Sequence, residues 1–187
     1  MELHPLTTER LGDLAELFGT TAVTNRCYCT WFLMLDPHRR EVWAAGGTRE
    51  VFERFAEALS TPVGVLAYDG GRPVGWCAVA PRSEFPRLIR SKAWRDGDPD
   101  AWVVTCFYIH RSARHAGLSR ALLDAAAALA AEHGAAAIEG VPRGSGVPTS
   151  PGDGYVGFEQ TFADCGFTVA ARPDAKRVLM RRELDSP

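Results

Sequence analysis

The stretch from Trp102 to Val141 leaves this chain the least freedom. Trp102 to Ile109 is rich in aromatic and β-branched residues, and Ala101 to His110 is apolar on both faces, which predicts a central strand. A helix from about Ala116 to His133 sets Leu118, Leu122, Ala125 and Leu129 along one stripe, with Gly134 as its stop. Ala135 to Val141 again reads as a strand. A strand, helix and strand of these lengths imply a parallel pair joined by a right-handed crossover.

The turn between the first strand and the helix carries the chemistry. His110, Arg111, Arg114, His115 and Arg120 fall within eleven residues that hold no acid, in a chain whose formal net charge is −2. The free N–H groups at a helix start carry roughly half a positive charge. Gly117 has no Cβ, so an anion can approach the backbone closely. Arg114 can add a charge-assisted, bidentate contact. Arg114-x-x-Gly117-x-Ser119 therefore reads as a phosphate site. An ordinary strand-to-helix connection with surface arginines has the same spacing.

At 187 residues the chain suits one substantial domain, and its 46% hydrophobic and 24% charged residues are those of a globular protein. The slightly acidic balance argues against a general nucleic-acid binder. No apolar run approaches the roughly 20 residues of a membrane helix. The opening Met-Glu-Leu-His-Pro has no signal-peptide pattern, and Cys27, Cys29, Cys77, Cys106 and Cys165 are odd in number. Free thiols in a reducing cytoplasm are expected.

In chain order, Glu2 to Leu6 predicts a first strand, and Thr7 or Thr8 caps a helix with Leu11, Leu14, Ala15 and Phe18 inward. Thr20 to Pro37 is an irregular aromatic segment. Gly46-Gly47-Thr48 caps a second helix with Val51, Phe52, Phe55 and Leu59 on one face. Val63 to Tyr68 and Pro73 to Ala80 form a hairpin about Asp69-Gly70-Gly71-Arg72. Pro81 to Pro99, with three prolines and four arginines, predicts a long surface excursion. Pro142 to Gly154 is a flexible loop, Tyr155 to Cys165 a short helix, and Phe167 to Ala171 with Arg177 to Leu184 a closing antiparallel pair.

That order, with a strand feeding Arg-x-x-Gly-x-Ser into a helix, resembles the GNAT superfamily of acyl-CoA-dependent N-acyltransferases over almost the whole chain. The resemblance implies one α/β domain over residues 1–187, a mixed sheet of about seven strands flanked by about four helices. It implies acetyl transfer from acetyl-CoA, as co-substrate and without a metal, to the amine of a small molecule by direct attack in a ternary complex. Homodimers are common among such proteins. The family's turn is usually Arg/Gln-x-x-Gly-x-Gly/Ala, and here it ends in Ser119. Carried over, the backbone of Phe107, Tyr108 and Ile109 pairs with the pantetheine arm. The N–H groups of His115, Ala116, Gly117, Leu118, Ser119 and Arg120 receive the pyrophosphate, with Arg114 beside it. Phe162 stands where the family often has a tyrosine that protonates the leaving thiolate.

Two residues are candidates for proton transfer. Glu139, in the strand after the main helix, would serve as a base if it faces the cleft; otherwise it is a strand-end carboxylate in solvent. Tyr155 offers a hydroxyl in place of the missing tyrosine, or else packs at a helix start. On the acceptor side, the resemblance places Tyr28, Trp31 and Phe32 along the pocket, as a wall for an aromatic or cationic acceptor, with core packing as the alternative. Glu84 after the third strand is a further acceptor-side candidate or a solvated loop carboxylate. Cys27-x-Cys29 supplies too few ligands for a closed zinc site, with His38 the one nearby third. Cys106 reads as a small buried hydrophobe, since acyl transfer through it lacks a local base. A non-catalytic acyl-CoA-binding domain and a Cys-x-Cys metal or redox protein are the alternatives to an enzyme. A P-loop hydrolase is excluded by the absence of Gly-x-x-x-x-Gly-Lys-Ser/Thr.

Overall fold

An apolar strand buried on both faces needs a partner along each edge and a layer over each face. In the computed structural model, which describes residues 1–148 and 152–185, strand β4 (Trp102–Ile109) has both layers but only part of one edge. The other strands are β1 (Glu2–Pro5), β2 (Gly64–Asp69), β3 (Arg72–Pro81), β5 (Ala137–Gly140), β6 (Thr168–Ala171) and β7 (Leu179–Glu183). They form one seven-stranded sheet in the order β1-β2-β3-β4-β5-β7-β6. All pairings are antiparallel except β4 with β5, the parallel pair that the strand–helix–strand pattern predicts.

The sheet splits at that parallel pair. β3 follows β4 along its length, from Pro81 opposite Trp102 to Gly75 opposite Ile109. β5 pairs only with Trp102, Val103 and Val104 and ends at Gly140. Beyond Val104 one edge of β4 pairs with no strand among the described residues. A bulge starts there: Val79 faces Val104 and Ala78 faces Cys106, so Thr105 is the extra residue. Bulges re-aim side chains and end pairing.

The helices are α1 (Leu11–Phe18), α2 (Ala22–Cys27), α3 (His38–Ala45), α4 (Thr48–Ala58), α5 (Pro86–Ile89), α6 (Leu118–Glu132) and α7 (Glu159–Asp164). α6 covers one face, burying Leu118, Leu122, Leu123 and Leu129 against β3 and β4. Phe18 of α1 and Phe52 of α4 cover the other, packed edge-on against Trp76 of β3.

Two segments are more ordered than their composition suggests. The aromatic segment Thr20 to Pro37 contains α2, capped by Thr21, whose hydroxyl accepts the Thr24 N–H at 3.2 Å. α3 follows this segment, where no helix was expected. Pro81 to Pro99, expected on the surface, buries Phe85, Leu88 and Trp94 as a third apolar cluster with Val103 and Val141. Its helical turns are one turn long, so no periodicity reveals which residues point inward. Of the predicted loop Pro142 to Gly154, residues 149–151 lie outside the described residues.

Gly140 marks the split: a Cβ there would overlap the ring of buried Phe162. Gly140→Ala should lower stability by about 1–3 kcal/mol in chemical denaturation. Gly12→Ala in α1, where a Cβ meets nothing within 4 Å, should leave stability unchanged or raise it by up to ~1 kcal/mol.

Candidate active site

The open edge of β4 faces two cavities. One, of about 440 Å³, is lined by Phe107, Tyr108, Ile109, Arg114 and Ser119 on one side and by Tyr155, Gly157 and Phe158 on the other. The far wall is held by the backbone. Arg143 N–H donates to the Gly157 carbonyl at 2.9 Å and the Glu159 N–H to the Arg143 carbonyl at 2.8 Å. Gly157 has φ +78° and lies so close to Phe107 and Phe162 that a Cβ would meet their rings at 3.3 and 2.9 Å.

At the end of this groove Gly117 adopts φ +75° and opens α6. Arg120 and Ala121 already donate their N–H groups to the Gly117 carbonyl, at 3.1 and 3.3 Å. Among the described residues no backbone carbonyl takes the N–H groups of His115, Ala116, Gly117, Leu118 or Ser119. The Arg120 N–H, predicted to be among the free donors, is therefore committed. His115 is itself left-handed at φ +63°, and Arg114 anchors its Nε on the Ile109 carbonyl at 3.1 Å. The sequence motif has become a cluster of free amides beside a guanidinium, which suits a pyrophosphate.

The second cavity, of about 450 Å³, lies on the face opposite α6. Trp31, Phe32, Trp94, Thr105, Cys106 and Val141 form much of its wall. Tyr108 and Tyr155 line both cavities and stack at 6.5 Å between ring centres, so the two spaces meet there. Thr20 donates its hydroxyl to the Leu17 carbonyl at 2.6 Å and so accepts the Tyr108 proton at 2.7 Å. Tyr155 has no such partner among the described residues. Burial, with Cys106 and Tyr108 adding to it, raises its pKa above the ordinary tyrosine value.

The acceptor-side expectations divide. Trp31 and Phe32 line the second cavity; Tyr28 does not. It is 1% exposed in the core, edge-on to Phe18 at 5.0 Å and against Phe52, because its left-handed φ of +47° at the end of α2 turns the ring inward. Glu84 lines neither cavity and sits half-buried in a 3-10 turn near Ser83.

Glu139 also lines neither cavity, which corrects the expectation of a cleft-facing side chain. It is 1% exposed. Its Oε1 accepts the Asp98 N–H at 3.1 Å and lies 3.6 Å from Arg181, while Oε2 lies 3.5 Å from Arg82. Arg82 in turn donates to the Trp94 carbonyl, and Arg181 pairs with Asp98 at 2.6 Å. Gly97 makes room for this cluster, since a Cβ there would overlap Arg82 Nη1 and Glu139 Oε2. Burial raises the Glu139 pKa against the opposing pull of the Asp98 N–H and the two arginines. The cluster ties the β3–β4 connection to β5 and β7 at the root of the split.

Several residues of the second cavity went unforeseen. Cys27 and Cys29 line it beside Cys106. The Cys29 thiol accepts the Trp76 indole N–H at 3.3 Å, and Cys106 and burial hold its pKa well above the ordinary range. Burial pushes Cys27 up to about 12. These are protonated, unreactive thiols. Among the described residues no three His, Cys, Asp or Glu side chains gather as metal ligands. Asp174 and Arg177, from the β6–β7 connection, complete the wall. Their place depends on the closing hairpin, and local sequence carries no signal of it.

The GNAT acetyltransferase family model matches residues 28–141, from the second-cavity wall through the pyrophosphate turn to the end of β5. The chain belongs to this family. It is an acyltransferase, and GNAT enzymes use acetyl-CoA and an amine acceptor. An acetyltransferase of the family from Listeria monocytogenes superposes with a TM-score of 0.60 at 13% identity, over 98% of this chain and 94% of that one. A PaiA N-acetyltransferase from Thermoplasma acidophilum, solved with coenzyme A, superposes at 0.55 and 13% identity, over 97% and 98%. The ribosomal-protein-S18-alanine N-acetyltransferase from Escherichia coli gives 0.55 at 11% identity, over 100% and 95%. At these identities the likeness is one of fold. No curated protein sequence matches the chain.

Arg82→Met should cost about 3–5 kcal/mol near pH 7, because it leaves the Glu139 charge buried with one partner fewer. It also raises the Glu139 pKa further. A group whose folded pKa lies above its unfolded value contributes stability that is lost as pH rises through the folded pKa. The gap between variant and wild type should therefore narrow as pH falls toward ~4–5, in denaturation measured across pH.

Proposed function

We propose that this protein transfers the acetyl group of acetyl-CoA to the amine of a small molecule by direct attack. The observation that carries the reading is the meeting of two cavities at the open edge of β4. One is a groove ending in free amides; the other is a largely apolar chamber. The groove residues fit the thioester co-substrate. The edge of β4 from Phe107 to Ile109 that β5 does not reach offers backbone hydrogen bonds to an amide-bearing arm, and Arg114 with the amides from His115 to Ser119 receives the pyrophosphate. Acetyl-CoA, when bound, supplies an activated acyl group whose leaving thiol has a pKa near ~8.5.

The second cavity selects and prepares the amine. Amines rest near ~10, and an apolar wall disfavours the ammonium form, so binding there itself promotes loss of the proton. No histidine lines that cavity, the Cys27 and Cys29 thiols are held protonated, and Asp174 Oδ1 is taken by two backbone N–H groups, so the proton leaves to solvent. Tyr155 is the positioned acid. It stands at the junction with a free hydroxyl, and its raised pKa keeps the proton available for a leaving thiolate across the neutral range. Phe162, in the place of the family's tyrosine, is fully buried against Phe107 and Phe167 and lines neither cavity. The acceptor is small on this reading because the chamber is walled by Trp31, Phe32 and Trp94. The five free thiols suit a reducing cytoplasm.

The test is release of the CoA thiol from acetyl-CoA over a panel of small amines and N-terminal peptides. Turnover of small amines is expected. Binding of acetyl-CoA without turnover on any of them would favour a non-catalytic acyl-CoA-binding domain. Tyr155→Phe should lower kcat by about 10–100-fold and leave CoA affinity unchanged. In the wild type kcat/KM should rise about tenfold per pH unit toward the amine pKa, with no loss from Tyr155 ionisation below pH ~10. Arg114→Ala should weaken CoA binding by roughly tenfold or more in calorimetry.

A further inference from the structure

The amine-side cavity is lined by one carboxylate, Asp174, and one guanidinium, Arg177. They differ in what they already hold. Asp174 Oδ1 accepts the N–H groups of Lys176 at 2.7 Å and Arg177 at 2.8 Å, which closes the turn leading into β7. That turn delivers Arg177 to the cavity wall, where it is half-buried. Among the described residues no carboxylate lies within 4.0 Å of the Arg177 guanidinium, and it makes no side-chain hydrogen bond.

Neighbouring arginines are placed otherwise. Arg82 and Arg181 are matched by Glu139 and Asp98. Arg39 and Arg87 share Asp36, at 2.9 and 3.5 Å, and lie over the Trp31 ring. Arg90 is exposed, and water solvates it. Arg177 alone of these meets the apolar chamber with no carboxylate within 4.0 Å among the described residues. Desolvating a cation is unfavourable unless an anion arrives to pair with it. A guanidinium fork matches a planar carboxylate in a way that no other group on this wall can.

We infer that the acceptor is an amine on an apolar or aromatic body that also carries a carboxylate, and that Arg177 receives that carboxylate. This rests on the acetyl-transfer reading and narrows it. The body lies along Trp31, Phe32 and Trp94, the amine reaches the junction at Tyr155, and the anion is fixed at Arg177. Asp174 is tied through Oδ1 to two backbone amides, which steadies the turn, and its carboxylate lies more than 4.0 Å from the guanidinium.

The test compares matched acceptors that differ in the carboxylate: para-(aminomethyl)benzoate with benzylamine, and L-phenylalanine with phenethylamine. An arm with para-(aminomethyl)phenylphosphonate separates carboxylate from phosphate-type recognition. Turnover is measured with acetyl-CoA and affinity with the protein–CoA complex. At least one carboxylated member should bind and react roughly tenfold or more better than its neutral partner, and better than the phosphonate. Arg177→Met should abolish that preference through the KM of the carboxylated members, and Arg177→Lys should restore part of it. Equal affinity within both pairs in the wild type, or a preference that survives Arg177→Met, overturns the inference; preference for the phosphonate overturns the carboxylate assignment. An unchanged CoA affinity and melting temperature show that the variant is folded. If no amine turns over but the carboxylated members bind better, the acetyl-transfer reading fails and the Arg177 assignment stands.

Discussion

Backbone N–H and C=O groups away from water must be paired, and β4 carries more of them than its neighbours take. β3 satisfies one edge along the whole strand; β5 satisfies the other only as far as Val104. On the acetyl-transfer reading, the remaining edge, Thr105 to Ile109, is where the molecule meets its substrates. The bulge at Thr105, the glycine at the end of β5 and the left-handed Gly157 across the groove each keep that edge from being closed by the protein itself. The donor groove and the amine chamber both follow from this one unpaired strand.

An open split in a sheet needs something to fix its root. The cluster of buried Glu139 and Arg82 with half-buried Arg181 and Asp98 does this, because each carboxylate oxygen faces an arginine or an amide and none can move without stranding a charge. Such clusters add little net stability over apolar packing and are strongly destabilising when one member is removed. Their value here is geometric: they pin the β3–β4 connection, β5 and β7 together below the point where the strands part.

The motif from β4 through Arg114 and Gly117 into α6 was legible because its signals are local. Apolar continuity, a basic turn and a helix stripe all fall within one contiguous stretch. The hairpin at Gly70-Gly71, the helix behind Thr48 and the parallel pairing of β5 were legible for the same reason. Glu139 shows where this ends. Its strand is evident, but its surroundings come from Arg82, Asp98 and Arg181, remote in sequence, so a candidate base became a structural ion pair. Tyr28 failed similarly, since a left-handed φ rather than composition turned it inward. Tyr155 could be singled out only as a hydroxyl near the right place, and Arg177 not at all, because a basic residue in a turn before a strand is common. Single-turn helices in Pro81 to Pro99 hid a buried cluster from any periodicity argument.

The central claim is that the open edge of β4 and the amides before α6 hold the acetyl thioester, with its carbonyl presented to the amine chamber at Tyr155. A crystal structure with acetyl-CoA bound tests it most directly. The account predicts the pyrophosphate on the amides of His115 to Ser119 beside Arg114, the arm paired with Phe107 to Ile109, and the sulfur near the Tyr155 hydroxyl. A thioester lying elsewhere, or a bound arm that leaves the β4 edge unpaired, would contradict it.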